Sequence, residues 1–163
     1  MKTLILVRHA KSDWNDPFLS DFERTLNKRG TADAPVMASR FAEMNIVPDL
    51  IVSSPAVRAF TTCKYFAKEL KYEESKIKLD QEIYDASAGS VLNIIGDMDD
   101  SVNTLMLFGH NPAISNLAGY LTSMNFGEVP TCAVVCVEFD FHHWKDIHKN
   151  TGTLKCFDYP KKQ

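Results

Sequence analysis

The sequence predicts an α/β fold in three layers, with a mainly parallel central sheet between two layers of helices. Short runs of branched apolar residues, Leu4–Val7, Leu50–Val52 and Thr104–Phe108, recur along the chain. Each has the length and composition of a strand buried on both faces. Segments with apolar residues at helical spacing separate them, and that alternation winds a parallel sheet. With 163 residues and no repeat, low-complexity tract or linker, one domain is expected over 1–163.

The elements follow in order. The first strand is expected over Met1–Arg8. Lys11–Lys28 reads as a long polar loop holding Trp14, Pro17, Phe18 and Phe22. A loop of that length in a compact domain is commonly functional, and its aromatic rings are expected to pack locally beneath it. A helix is expected over Arg29–Asn45 from the spacing of Val36, Met37, Phe41 and Met44, with Pro35 as its start or a kink. Asp49–Ser53 is the second strand. Ser54 then reads as an N-cap and Pro55 as the first residue of a helix through Phe60, Cys63, Phe66 and Leu70. Ile77–Leu79 is a short third strand and Gly89–Met98 a helix. After the strand Thr104–Phe108, Asn111 reads as a cap and Pro112 as the first residue of a helix through Leu121. Ala133–Phe139 and Thr153–Tyr159 read as a closing antiparallel pair at a sheet edge, with a solvated turn over His142–Thr151.

Composition narrows the function classes. The hydrophobic fraction of 45% and charged fraction of 24% are ordinary for a globular domain. The net charge of −3 gives no global basic field, so nucleic acid is not an expected partner and an anion site must be a local feature. The first apolar run is too short for a signal peptide core, and no run reaches the length of a membrane span. A cytoplasmic location and no membrane association are therefore expected. Cys63, Cys132, Cys136 and Cys156 form no C-x-x-C pair and read as four reduced core residues. Cys132 and Cys136, four apart on one strand, are expected on the same face.

Three strand ends carry one chemical theme. The first delivers Arg8-His9, the second Ser53-Ser54-Pro55 with Arg58 one turn into the next helix, and the third Gly109-His110. In an open α/β sheet these ends meet at one edge, where ligands bind. Helix N-termini near Pro55 and Pro112 add backbone N–H groups and positive dipole ends. The planar fork of Arg suits phosphate oxygens. The set points to a phosphoryl pocket around a nucleophilic histidine.

Other phosphatase chemistries are absent from the pattern. A cysteine nucleophile needs Cys-x5-Arg, but the residues six after the cysteines are Glu69, Glu138, His142 and Lys162. Asp97-Met98-Asp99 is a faint match to a magnesium-dependent aspartyl nucleophile, and Gly96 interrupts the run before it. His142, His143 and His148 lack a partner set with metal-ligand spacing. No metal and no other cofactor is expected.

Leu6-Val7-Arg8-His9-Ala10-Lys11-Ser12 resembles the signature of the histidine phosphatase superfamily, whose usual form is Arg-His-Gly. Ser53 through Thr62 is similar to its Ser-x-x-x-x-Arg-Ala-x-x-Thr block, and Phe108-Gly109-His110-Asn111-Pro112 to its third. The chain length, the Arg-His-Ala-Lys-Ser start and the Arg24–Gly30 segment resemble the small SixA-like phosphohistidine phosphatases.

The resemblance implies a phosphoglycerate mutase-like fold and a two-step phosphatase mechanism without metal. His9 would be the nucleophile that becomes phosphorylated. Arg8, Arg58 and a protonated His110 would bind the phosphoryl oxygens. Asn15 falls where some members place a phosphate-contacting Asn. Read from its place in the long loop alone, Arg24 would line the pocket, recruit an acidic partner or form a surface ion pair. Glu82 falls where many members carry the proton donor, with Asp13 and Asp21 in reserve. The implied partner is a protein carrying phosphohistidine, with a small phosphate ester as the other candidate. A phospho-ligand binding module with little turnover is a further alternative.

Overall fold

The computed structural model describes residues 1–162; the last residue of the domain expected over 1–163 lies outside the described residues. Strands β1 (Lys2–Arg8), β2 (Leu50–Ser53), β3 (Lys78–Leu79), β4 (Thr104–Gly109), β5 (Val134–Phe139) and β6 (Gly152–Asp158) form one sheet in the order β3-β2-β4-β1-β5-β6. The pairs β3/β2, β2/β4 and β4/β1 are parallel. The pairs β1/β5 and β5/β6 are antiparallel. The mainly parallel sheet and the antiparallel closing pair agree with the sequence reading.

Alternation along each strand sorts the core into two halves. Leu4, Leu6, Leu105 and Leu107 face helices α3 (Ala88–Gly96) and α4 (Ala113–Thr122), meeting Val91, Ile95, Leu117 and Leu121. Ile5, Val7, Met106 and Phe108 face α1 (Lys28–Ala42) and α2 (Val57–Glu69), meeting Met37, Phe41 and Phe66. All four β1 residues Leu4–Val7 are fully buried, each stabilising the fold by about 1.5–3 kcal/mol. Helices on both faces complete the three layers.

Helix starts differ in detail from the sequence reading. Helix α1 begins at Lys28, upstream of Pro35, because Asn27 caps it: Asn27 Oδ1 accepts from the Gly30 N–H at 2.8 Å. Pro35 lies inside the helix, neither starting it nor ending it. Gly30 packs directly on the segment after His9, and a Cβ there would overlap the Lys11 carbonyl. Helix α2 starts at Val57 rather than Pro55. Ser54 instead closes the turn before it, its Oγ accepting from the Ala56 N–H at 3.2 Å. Helix α4 starts at Ala113 rather than Pro112. Asn111 still serves its first turn, its Oδ1 accepting from the Ser115 N–H and hydroxyl at 3.1 and 2.9 Å.

Two expectations on the closing strands are corrected. Cys136 and Cys156 are direct partners across β5 and β6 and form a disulfide, so these two are not reduced thiols. Only strand register brings residues so far apart in sequence into that pairing. Cys63 and Cys132 are free and buried, and burial pushes both thiols up to about 12. The turn between β5 and β6 is not simply solvated either. Trp144 within it is fully buried, and its indole N–H donates to the Val102 carbonyl at 2.8 Å. Among the described residues no helix is long and apolar enough to cross a membrane, and no group of His, Cys, Asp and Glu is placed to hold a metal ion.

Candidate active site

Strand register builds the site. Arg8 on β1 pairs with Gly109 on β4, and Ser53 on β2 pairs with Phe108. The three strand ends therefore meet at one sheet edge. The His9 N–H donates to the Gly109 carbonyl at 3.1 Å, and the Cys132 N–H donates to the His9 carbonyl at 3.0 Å. Held by both neighbours, the His9 ring lies 5.1 Å from the His110 ring, tilted by 55°.

His9 is 7% exposed, and its Nδ1 lies 2.7 Å from the Ala10 carbonyl. A carbonyl only accepts, so Nδ1 carries the proton and Nε2 keeps its lone pair. Burial is the main cause that lowers the His9 pKa to about 3; the Ala10 hydrogen bond opposes it, while His110, Arg58 and Arg8 add to it. The ring is thus neutral near pH 7. Thr62 ties this segment to α2. Its Oγ1 accepts from the Ala10 N–H at 3.0 Å and donates to the Arg58 carbonyl at 2.8 Å.

The two arginines are anchored from outside. Arg8 Nη1 donates to the Val129 carbonyl at 2.8 Å and lies 3.5 Å from Glu128 Oε1. Arg58 Nη1 donates to the Asp21 carbonyl at 2.6 Å and Nη2 to Asp21 Oδ2 at 3.1 Å. Both keep a buried Nε–H without a protein partner. His110 has the same feature. Its Nε2 lies 2.8 Å from Ser54 Oγ and its Nδ1 is buried and unpartnered. Ser54 Oγ accepts from the Ala56 N–H; with its hydroxyl proton directed to His110 Nε2, neutral His110 bears its own proton on Nδ1. Burial first, then the Arg58 charge, lowers the His110 pKa to about 4, with Arg24 and Arg8 adding to this and Asp21 opposing it. Burial and the Arg58 charge thus oppose the protonated His110 that the resemblance implies. Among the described residues the buried side-chain polar atoms lacking a partner are these three, Arg8 Nε, Arg58 Nε and His110 Nδ1.

The long loop supplies a hub that the sequence showed only as a reserve acid. Asp21 accepts from Arg24 Nε and Nη2 at 3.2 and 3.0 Å, from Arg58, and from the Tyr84 hydroxyl at 2.6 Å. Led by the Tyr84 bond, these donors lower its pKa to about 2. As a carboxylate it holds both arginines. Arg24 is 7% exposed and also donates from Nη1 to Ser12 Oγ at 2.5 Å. The Trp14 ring covers its guanidinium at 3.4 Å. Tyr84 stands edge-on to the His110 ring at 5.7 Å.

The remaining expected residues lie further out. Glu82 is exposed in a single turn of 3-10 helix, Gln81–Ile83, where its N–H donates to Asp80 Oδ1 at 2.9 Å. Among the described residues its carboxylate makes no hydrogen bond, whereas Tyr84 two positions on reaches the hub. Asn15 is exposed on a turn whose N–H donates to Asp13 Oδ1 at 2.8 Å. Trp14 and Phe18 are 70% and 94% exposed, so only Phe22, packed on Tyr84 at 5.1 Å, follows the expected burial under the loop. Ser54 and Thr62 stood inside the recognised motif, but their partners depend on how β2 and α2 sit against β1 and β4.

The sequence model of the histidine phosphatase superfamily (branch 1) matches residues 4–98, a span that includes Arg8, His9 and Arg58. The chain belongs to the histidine phosphatase superfamily. Like this histidine phosphatase in fold is a protein of Agrobacterium tumefaciens that bears the name phosphohistidine phosphatase SixA. The two share 27% identity over 98% of each chain, with a TM-score of 0.84. A protein histidine phosphatase SixA complexed with tungstate shares the fold at a TM-score of 0.78, with 21% identity over 97% of each chain. In sequence, an uncharacterized chloroplast protein of Arabidopsis thaliana is 28% identical over 159 residues, which is 93% of this chain and 72% of that one. The architecture of this histidine phosphatase is the phosphoglycerate mutase-like one that the motifs implied.

Proposed function

We propose that this histidine phosphatase hydrolyses protein phosphohistidine through a phospho-His9 intermediate, with Arg8, Arg58 and His110 holding the phosphoryl oxygens. One observation carries the reading. His9 presents an unprotonated Nε2 at a site where the three buried, unpartnered side-chain nitrogens all belong to Arg8, Arg58 and His110. Three preorganised donors around a neutral nucleophile suit phosphoryl transfer, in which charge builds on the equatorial oxygens.

In the first step His9 Nε2 attacks phosphorus in line. The N–P bond forms as the bond to the leaving atom breaks, and the leaving atom keeps the electron pair and takes a proton. In the second step water attacks phospho-His9. The N–P bond breaks, its pair returns to Nε2, and the water's proton leaves with inorganic phosphate or solvent. Arg8 and Arg58 bring the positive charge that a metal supplies in other phosphatases, so metal-independent turnover is part of the proposal. Asp21, ionised far below neutral pH, cannot supply the leaving-group proton; Glu82 is the carboxyl proposed for it, from an exposed position. A phosphohistidine substrate suits this arrangement, because an imidazole leaving from a labile P–N bond needs little acid assistance. The name borne by the A. tumefaciens relative agrees.

The test is phosphate release, with and without a chelator, from a panel of phosphohistidine proteins, an aryl phosphate and sugar phosphates. Chelator-resistant release favouring the phosphohistidine proteins is expected. Release that favours a sugar phosphate selects the small-ester reading, and loss on chelation removes the metal-independent mechanism.

A further inference from the structure

A cavity of about 450 Å³ opens beside Arg8, lined by Asn111, Pro112, Ser115, Asn116 and Glu128. It shares Arg8 with the phosphoryl pocket but is built from the segment before β5 and the start of α4. Most of its polar groups are already committed. Asn111 Oδ1 accepts from Ser115, and its amide donates to the Val129 carbonyl at 3.0 Å. The Ser115 hydroxyl accepts from the Val129 N–H at 2.9 Å. Arg8 Nη1 is committed to Val129 and Glu128. Two side chains keep open capacity: the Asn116 amide, which makes no side-chain hydrogen bond among the described residues, and the Glu128 carboxylate, 77% exposed and held at the mouth by Arg8.

We propose that this cavity is the leaving-group subsite, and that Glu128 makes it select leaving groups that present cationic N–H donors, such as an imidazolium ring, over anionic ones. The inference rests on the phosphatase reading above. A group attached to phosphorus must extend past one of the residues that hold the phosphoryl oxygens, and Arg8 is the residue that both spaces share. A carboxylate and an amide oxygen accept hydrogen bonds from a protonated amine, or from an N-phosphorylated imidazole once its second ring nitrogen is protonated. The same carboxylate opposes a leaving group bearing its own carboxylate or second phosphate, and Arg8, the one cation in the lining, already faces it. Phosphoryl binding thus draws on positive charge, while the adjoining subsite rejects a second negative charge.

The experiment measures kcat/KM for a phosphohistidine peptide and for 3-phosphoglycerate, in the wild type, Glu128→Gln and Glu128→Lys. The ratio of the two substrates within each variant cancels any change in phosphoryl binding through Arg8, and a merely structural role for Glu128 leaves it unmoved. The ratio is expected to fall about tenfold in Glu128→Gln, the scale of one partly screened charge contact, and further in Glu128→Lys. Phosphate release with a ratio unchanged within about twofold in both variants overturns this inference alone. No release from either substrate by the wild type overturns the phosphatase reading and this inference with it.

Discussion

His9 and His110 face each other across 5.1 Å because Arg8 and Gly109 are register partners at the ends of adjacent parallel strands. The relationship fixes both imidazoles from the backbone. Each residue follows directly on a paired position, so neither ring depends on a mobile loop. One ring is left with an unprotonated nitrogen and the other with a buried nitrogen that has no protein partner.

Replacing His9 separates chemistry from fold. His9→Ala is expected to lower kcat on an aryl phosphate by at least about a thousandfold. Far-ultraviolet circular dichroism should remain that of the wild type, since the flanking β1 core is untouched. Activity within tenfold of wild type would place the nucleophile elsewhere.

Ser54 is the side-chain partner of His110 Nε2. Ser54→Ala removes the hydroxyl that faces Nε2, so the ring loses the partner that keeps its proton on Nδ1. We expect kcat/KM to fall about tenfold, together with about 1 kcal/mol of stability from the lost turn cap. Steady-state kinetics and urea melts measure the two effects separately.

Asp21 holds three side chains at once. Asp21→Ala releases Arg58, Arg24 and Tyr84, and KM for an aryl phosphate is expected to rise about five- to tenfold, with a smaller change in kcat. A fall in kcat with KM unchanged would instead indicate a role in proton transfer.

Stability should rise with pH across the acid range. His9 and His110 titrate near 3 and 4 in the folded chain but near 6.5 when unfolded. Between those values the unfolded chain binds more protons, so stability is complete above about pH 6.5 and falls as pH drops toward 3. Thermal melts from pH 7 to pH 4 check this, and the slope should be shallower in His9→Ala, which removes one of the two groups.

The β5/β6 disulfide closes a separation of 20 residues. Its loss in Cys136→Ser is expected to cost about 3 kcal/mol by chain entropy. Urea denaturation of the variant, with reduced wild type as control, measures it.

How much of this was legible in the sequence follows a physical line. Leu4–Val7 and Thr104–Phe108 announce themselves because a doubly buried strand needs an unbroken apolar run. Arg8, His9, Arg58 and His110 are legible because their motifs sit at strand ends. What escapes is whatever depends on register or on the path of the long loop. The partnership of Cys136 with Cys156 is a matter of register, with an irregularity in the ladder beside it. The turn from Asp21 to Arg58 spans 37 residues, and no local pattern marks a carboxylate that will face two arginines and a tyrosine. Helices α2 and α4 start one or two residues late because Ser54 and Asn111 spend their side chains on the turns ahead of them.

The central claim is a phosphoryl group carried on His9. The direct measurement is to quench the protein during turnover of a labelled aryl phosphate and locate the label by peptide mass spectrometry. Label on His9, labile in acid and stable in base, and absent in His9→Ala, is expected. Label that is stable in acid and labile in base, carried on a carboxylate, or label that persists in His9→Ala, would contradict it.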